Sequence, residues 1–363
     1  MMGNKVALIT WAQSKNYGTC LQAYAAQKLL KKMGFHCDLL NFFVPRKYWF
    51  LNIPRVLIKN NYIYLRYKGY NKNYIHFFRD HLSFYSIIWP SDYNAIENRY
   101  SAFITGSDQI WNPNYLNTFY MLDFVKSRPC FSYSTSIGVA ELPKDKVPIY
   151  KNYLNKFQCF GMREQAGVNI ITSLFPDKRV EKVLDPTLLM TADEWRKLSD
   201  YTRIEFKLPE HYVFCYLIGK RDEYKSQLNK VWLDSGIKDL IIVKSAENGS
   251  FSLSGAYNYN NCGPIEFVYL LSNSDLVCTD SFHATALSIN MSKNFIEFMR
   301  FDDGDIDSQN SRIYEILQYY GLSDRIFNFD KKFYNIDYSN IQVQLNMDRR
   351  ESENFLKDAL NIH

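Results

Sequence analysis

The sequence predicts an α/β protein built on two parallel sheets. Short apolar runs alternate with stretches of helical period, and the alternation restarts near residue 209 after a first round that ends near residue 187. Polar, helix-capping residues also recur directly after the apolar runs. In an open parallel sheet that is where the carboxyl ends of the strands meet a ligand. The chain of 363 residues is long enough for two cores, since a single core rarely exceeds ~250–300 residues. The boundaries expected are a first domain over 1–187, a linker over 188–210, a second domain over 211–345 and a terminal helix over 346–363.

Residues 5–11 read as the first strand, followed by the turn Ser14-Lys15-Asn16-Tyr17-Gly18. A helix is expected over 20–33, with Thr19 and Gln22 at capping-box spacing, Leu21, Tyr24, Ala25, Leu29 and Leu30 on one face, and Gly34 as its stop. Residues 37–43 supply the next strand, which completes a βαβ start. From 39 to 79 there is no acidic residue. Arg46, Lys47, Arg55, Lys59, Arg66, Lys68, Lys72 and Arg79 alternate there with Tyr48, Trp49, Phe50, Tyr62, Tyr67 and Tyr70. Such an insert over 45–80 suits a membrane interface or an anionic, lipid-linked ligand, or else a helical excursion with its aromatics turned into the core. Strands follow over 101–105 and 130–136, a helix over 148–157, a strand over 159–164, and a strand end at Val183-Leu184-Asp185-Pro186-Thr187, closed by the proline.

In the second round, residues 212–218 and 240–244 read as strands, with helices over 222–234 and 264–271. Leu276, Val277 and Cys278 form a buried-type strand. Thr279, Asp280 and Ser281 are three consecutive helix-capping residues, and His283 falls in the first turn of the helix they open. Backbone N–H groups at such a helix start attract anions, and a histidine there can exchange protons beside one; the alternative is a structural histidine held by a nearby carbonyl. Helices over 311–320 and 349–360 close the chain.

Composition excludes several classes. A net charge of +5 gives no general argument for nucleic-acid binding. Seven scattered cysteines without a C-x-x-C pair point to a reducing compartment and buried thiols. The first strand begins too early for a signal-peptide core, and no apolar run reaches the ~18 residues of a spanning helix, so a cytoplasmic location is expected. Neither a dinucleotide-binding glycine fingerprint nor a P-loop occurs. Asp303, Asp305 and Asp307 resemble the start of a calcium loop, but its sixth and twelfth positions are Ser308 and Tyr314, so no metal is expected.

Several phrases, taken in order, resemble one family. They are Asn16-Tyr17-Gly18 with Leu21-Gln22-Ala23-Tyr24-Ala25, Gly106-Ser107-Asp108-Gln109-Ile110-Trp111-Asn112-Pro113, Arg163-Glu164, Leu184-Asp185-Pro186-Thr187-Leu188-Leu189, Gly263-Pro264-Ile265-Glu266-Phe267 and Asp280-Ser281-Phe282-His283-Ala284-Thr285. Their order is similar to that of the polysaccharide pyruvyl transferases, and they span nearly the whole chain. The insert at 45–80 is the least family-like part.

The resemblance implies two Rossmann-like domains arranged as in GT-B glycosyltransferases, with a ligand crevice between them. It implies phosphoenolpyruvate as donor, used as a co-substrate with no further cofactor. The acceptor implied is a hydroxyl pair on a surface polysaccharide such as capsule or exopolysaccharide, or on its lipid-linked precursor at the inner face of the membrane. By the same resemblance His283 is the acid/base group and Arg163 the guanidinium that clamps the donor, with Arg312 as a second candidate. Ser281 and Phe282 flank the donor. Asn16, Tyr17 and Gly18 face the acceptor, Ser107, Asp108 and Gln109 do the same or hold the loops, and Asp185 either orients a catalytic group or caps a strand end. The alternatives are a nucleotide-sugar glycosyltransferase on the same architecture and a carbohydrate-binding protein without catalysis. The helix after Phe282 lacks the carboxylate that would hold a ribose, and both His283 and Arg163 are present.

Overall fold

Each strand described here pairs in parallel with its neighbours, and the strands form two sheets. The computed structural model describes residues 4–42, 67–87, 92–200, 204–302, 310–330 and 335–360. The chain divides into two compact units, one of Met1–Gln13, Gln22–Pro186 and Glu351–His363, the other of Ser14–Leu21 and Thr187–Arg350. The expected linker over 188–210 is therefore counted with the second unit, and so is the Asn16-Tyr17-Gly18 phrase, expected in the first domain.

The first sheet takes β1 (Lys5–Ile9), β2 (His36–Phe42), β3 (Phe84–Ile87), β4 (Ala102–Thr105), β5 (Cys130–Thr135), β6 (Phe157–Met162) and β7 (Arg179–Lys182) in the order β3-β2-β1-β4-β5-β6-β7. Its central strands are buried along their length, as Val6–Ile9 in β1 and all of β4 and β5 show. That is why they read as unbroken apolar runs. Its core gathers around Trp111, which meets the edge of Phe157 at 5.5 Å, with Phe160, Tyr150 and Ile171 also buried.

The second sheet takes β8 (Tyr212–Tyr216), β9 (Asp239–Val243), β10 (Tyr257–Tyr259), β11 (Leu276–Thr279) and β12 (Asn294–Glu297) in the order β10-β9-β8-β11-β12. Both orders run outward in opposite directions from a central pair, β1/β4 and β8/β11. That is the doubly wound order of a Rossmann-like fold, with a topological switch point at the central pair.

Several elements depart from the sequence reading. The first helix, α1 (Tyr17–Lys32), starts earlier than expected. Thr19 and Gln22 form no capping box: Asn16 Oδ1 accepts from the Thr19 N–H at 3.3 Å, and Gln22 Nε2 donates to Trp11 O at 2.7 Å. Within the basic stretch, α2 (Lys72–Asp80) buries Tyr74, Phe77 and Phe78, so its aromatics turn inward. Residues 45–66, like Asp303, Asp305 and Asp307, lie outside the described residues.

The short helices α3 (Asp92–Glu97), α4 (Val147–Leu154) and α5 (Gln165–Leu174) belong to the first unit. Pro186 does not close a strand. It opens α6 (Pro186–Leu189), because proline's fixed φ and missing N–H suit a first helical position. The expected linker folds as α7 (Ala192–Ser199), with a capping box between Thr191 and Glu194 and a fully buried Trp195 whose indole N–H donates to Thr187 O at 3.0 Å.

The second unit continues with α8 (Tyr224–Ser235), α9 (Pro264–Asn273), α10 (Phe282–Asn290) and α11 (Ser311–Tyr319). The last helix, α12 (Ser339–Ala359), begins well before the expected 349. Its Arg349 donates to Leu188 O at 2.7 Å and to Asn290 Oδ1 at 2.8 Å. All seven cysteines are buried and none forms a disulfide, and burial pushes the Cys159 thiol up to about 11 and the Cys130 thiol to about 12.

Candidate active site

The sequence-predicted residues gather into two groups, each at the switch point of one sheet. In the first unit the group lies after β4, β6 and β7. Gly106-Ser107-Asp108-Gln109 leaves β4, and Thr10, just past β1, donates to Ser107 O at 2.6 Å. The Ser107 hydroxyl donates to Asp185 Oδ2 at 2.6 Å. Arg163, one residue beyond β6, sends Nε to Glu164 Oε1 at 2.7 Å and Nη1 to Asp185 Oδ2 at 3.3 Å. Burial opposes the Arg163 charge, but Glu164, Asp185 and Asp108 outweigh it and raise its pKa further, so the guanidinium is a permanent cation. Asp185 is thus a hub between the Ser107 turn and Arg163.

Asp108 has φ 74°, and Ser134, near the end of β5, has φ 58°. Left-handed backbone at a residue other than glycine carries strain that the surroundings must hold, and such strain clusters at functional loops. The Asp108 carboxylate accepts from the Gln109 N–H at 2.9 Å, and the Asp108 carbonyl accepts from Ser136 N–H at 3.1 Å, which fixes the turn. Gln109 Oε1 accepts from Asn112 Nδ2 at 2.8 Å.

In the second unit Ser281, Phe282 and His283 follow β11 and open α10, with Ser281 as the N-cap residue. His283 is buried at 6% exposure beside the Phe282 ring, 5.4 Å away and nearly perpendicular. The Arg312 guanidinium lies 5.9 Å from the Phe282 ring centroid, within cation–π range. Tyr17 and Gly18 come to this group through the first turn of α1. Tyr17 is buried, stacked on Phe267 at 4.7 Å, and donates to Lys244 O at 3.1 Å. Asn16 is half-buried at the head of the helix.

Three residues escaped the sequence reading. Asp280 does not cap α10. Its carboxylate crosses to the loop after β8, accepting from the N–H groups of Ile218 at 2.7 Å and Gly219 at 2.6 Å and from Tyr224 Oη at 2.9 Å. Arg300, just past β12, pairs with it at 3.5 Å and donates to its carbonyl at 2.9 Å. The third is Glu297, fully buried at the end of β12 and touching the Thr285 hydroxyl. That hydroxyl also donates to Ser281 O at 3.0 Å, and a carbonyl can only accept. The single hydroxyl hydrogen of Thr285 thus faces two acceptors, Ser281 O and the Glu297 carboxyl. Burial raises the Glu297 carboxyl well above its ordinary value, which favours its protonated form. A polar residue immediately after a short buried strand was the available signal for Asp280; nothing local marks Arg300, three positions past β12, or Glu297.

Among the described residues no cluster of three or more His, Cys, Asp or Glu could hold a metal ion, and no helix is long and apolar enough to cross a membrane.

Two Rossmann-like units, each with buried polar side chains at its switch point, define an α/β enzyme-type architecture. The chain belongs to the polysaccharide pyruvyl transferase family, whose profile matches residues 16–300, and it is a transferase. Among curated proteins none matches it in sequence. Solved structures similar to it include the UDP-GlcNAc 2-epimerase of Neisseria meningitidis bound to UDP-GlcNAc, at 10% identity, 95% of this chain and 99% of that one, and a TM-score of 0.46. The UDP-GlcNAc 2-epimerase of Methanocaldococcus jannaschii aligns at 12% identity over 94% of this chain and 99% of that one, with a TM-score of 0.46. The Escherichia coli ADP-heptose heptosyltransferase II aligns at 10% identity over 98% of this chain and 99% of that one, with a TM-score of 0.38.

Proposed function

We propose that this transferase moves the pyruvyl unit of phosphoenolpyruvate onto two hydroxyls of one sugar in a surface polysaccharide or its lipid-linked precursor. The donor methylene takes a proton and one sugar hydroxyl adds to the neighbouring carbon, losing its own proton. The second hydroxyl then displaces phosphate from that carbon and loses its proton, leaving a cyclic ketal and inorganic phosphate. Donor protonation and hydroxyl deprotonation need one group able to hold and release a proton near neutral pH. His283 is the residue assigned to it. The observation that carries this reading is its place in the first turn of α10, directly after switch-point strand β11.

The donor's carboxylate and phosphate call for fixed cations and helix-start N–H groups. Arg312, Arg163 and the Ser281–Phe282 backbone are assigned to them. Asn16, Ser107, Asp108 and Gln109 carry the polar groups assigned to the acceptor sugar. Tyr17 and Gly18, assigned to the acceptor with them, are buried, and the Tyr17 ring stacks on Phe267. The reaction is assigned to the cytoplasmic side, with the basic, aromatic insert 45–80 as a peripheral contact to a membrane-borne acceptor.

The test is thermal stabilisation by millimolar phosphoenolpyruvate against a panel of nucleotide-sugars. A ligand that binds the native state alone raises the melting point by mass action. A shift with phosphoenolpyruvate is expected, and His283→Ala should keep that fold and lose turnover. A shift with nucleotide-sugars only, or normal turnover in His283→Ala, removes the reading.

A further inference from the structure

The first turn of α1 lies directly against the imidazole of His283. A Cβ built on Gly18 would come within 2.3 Å of His283 Nδ1, 2.4 Å of its Cγ and 2.5 Å of its Cβ, well under the 3.0 Å that real Cβ atoms respect. The glycine is not there for its backbone, since Gly18 is absent from the residues with positive φ. Nor does it serve the helix, where alanine is the better former. What position 18 requires is the lack of a side chain facing His283.

The turn that carries Gly18 is fastened on several sides within the second unit. The Tyr17 ring stacks on Phe267 with planes 15° apart, and its edge contact with Tyr216 has centroids 5.2 Å apart. The Tyr17 hydroxyl reaches Lys244 O, and the Cys20 thiol donates to Ser14 O at 3.1 Å. Ser14 Oγ accepts from the Asn16 N–H at 3.0 Å. The imidazole is therefore bounded by a fixed stretch of helical backbone and by the Phe282 ring.

We propose that Gly18 is a positioning residue for His283. Its bare backbone sets the rotamer and depth of the imidazole, and Tyr17 is the anchor that keeps the backbone in register. The inference rests on the reading of His283 as the acid/base group. A proton-transfer residue must reach its target atom before its acidity matters, so a displaced imidazole lowers turnover while donor binding through arginines and helix N–H groups persists.

The test is a double-mutant cycle of Gly18→Ala and His283→Gly, with His283→Ala as the separate turnover control, followed by melting temperature, phosphoenolpyruvate turnover, and the 15N-histidine spectrum. In the native background Gly18→Ala should lower the melting temperature and shift the His283 ring resonance, identified by its loss in His283→Ala. It should also cut kcat about tenfold or more, with KM for phosphoenolpyruvate within about twofold. With His283→Gly in place all three of these clashing atoms are gone and the added methyl has room. Gly18→Ala should then cease to lower the melting temperature and raise it through helix propensity. The double variant is thus expected to fold even if Gly18→Ala alone does not. An equal melting-temperature loss in both backgrounds overturns the proposal, as does a native-background variant with unchanged kcat and ring resonance. Retained turnover in His283→Ala overturns instead the proton-transfer reading beneath it.

Discussion

Replacing Asp280 with asparagine keeps the shape of the side chain while removing one charge and one acceptor from the polar hub of the second unit. The carboxylate is fully buried and accepts from two backbone N–H groups and Tyr224, with Arg300 3.5 Å away. Asparagine turned to keep Gly219 and Tyr224 points its amide N–H₂ at the Ile218 N–H, donor against donor. One hydrogen bond to a charged acceptor is lost, at about 1.5–3 kcal/mol. Arg300, with a side chain 21% exposed, also keeps its charge beside a neutral group. Losing the partner of a fully buried pair costs about 3–5 kcal/mol, and the partial exposure and 3.5 Å separation place this pair below that range. Together the two losses come to about 3–5 kcal/mol. At about 2–4 °C per kcal/mol for a unit of this size, the melting temperature should fall by roughly 10 °C. Urea unfolding should show a lower midpoint at unchanged slope. A loss below about 1 kcal/mol would refute the argument that this carboxylate organises the β8 and β11 loops as a charged acceptor.

Arg163→Lys should raise the phosphoenolpyruvate concentration for half-saturation, because an ammonium cannot reproduce the forked contacts. It should also destabilise by about 2 kcal/mol through the lost bond to Asp185 or Glu164, and an unchanged donor dependence would remove Arg163 from the donor site. Glu297→Gln should become progressively more stable than the native chain as pH rises. The native carboxyl, raised well above its ordinary value of 4.5, contributes stability that is complete below that value and lost as pH climbs towards the folded value, whereas the amide stays neutral throughout. A stability difference that does not change between pH 4 and pH 8 would contradict a protonated Glu297.

Much of the fold was legible because parallel strands buried on both faces leave an unmistakable apolar run. Residues 212–218 and 276–278 match β8 and β11 closely for that reason. Two edge strands were not legible, since β3 and β10 are short and carry polar residues such as Ser86 and Asn258, while β7 was read only as a strand end a few residues too late. The stretch over 188–210 read as a linker because its helices are brief, although Trp195 is among the largest fully buried side chains described. At the site, the sequence marked His283 and Arg163 through the residues around them. It did not reveal what surrounds each. That Arg163 would face Glu164 and Asp185, or Gly18 the His283 ring, depends on elements far apart in the chain. The direction of the Asp280 side chain was misread for the same reason, since helix-capping is a local rule and its partners Ile218 and Gly219 lie some sixty positions away.

The buried thiols, none of them in a disulfide, have a practical consequence. Only a thiolate attacks an alkylating reagent, and burial suppresses both access and ionisation. Cys37, Cys130 and Cys159 belong to the first unit, and Cys20, Cys215, Cys262 and Cys278 to the second. Each unit therefore carries a built-in label for its own opening. The mass added to peptides from one set or the other records which half of the chain let the reagent in, and no engineered probe is needed to follow it.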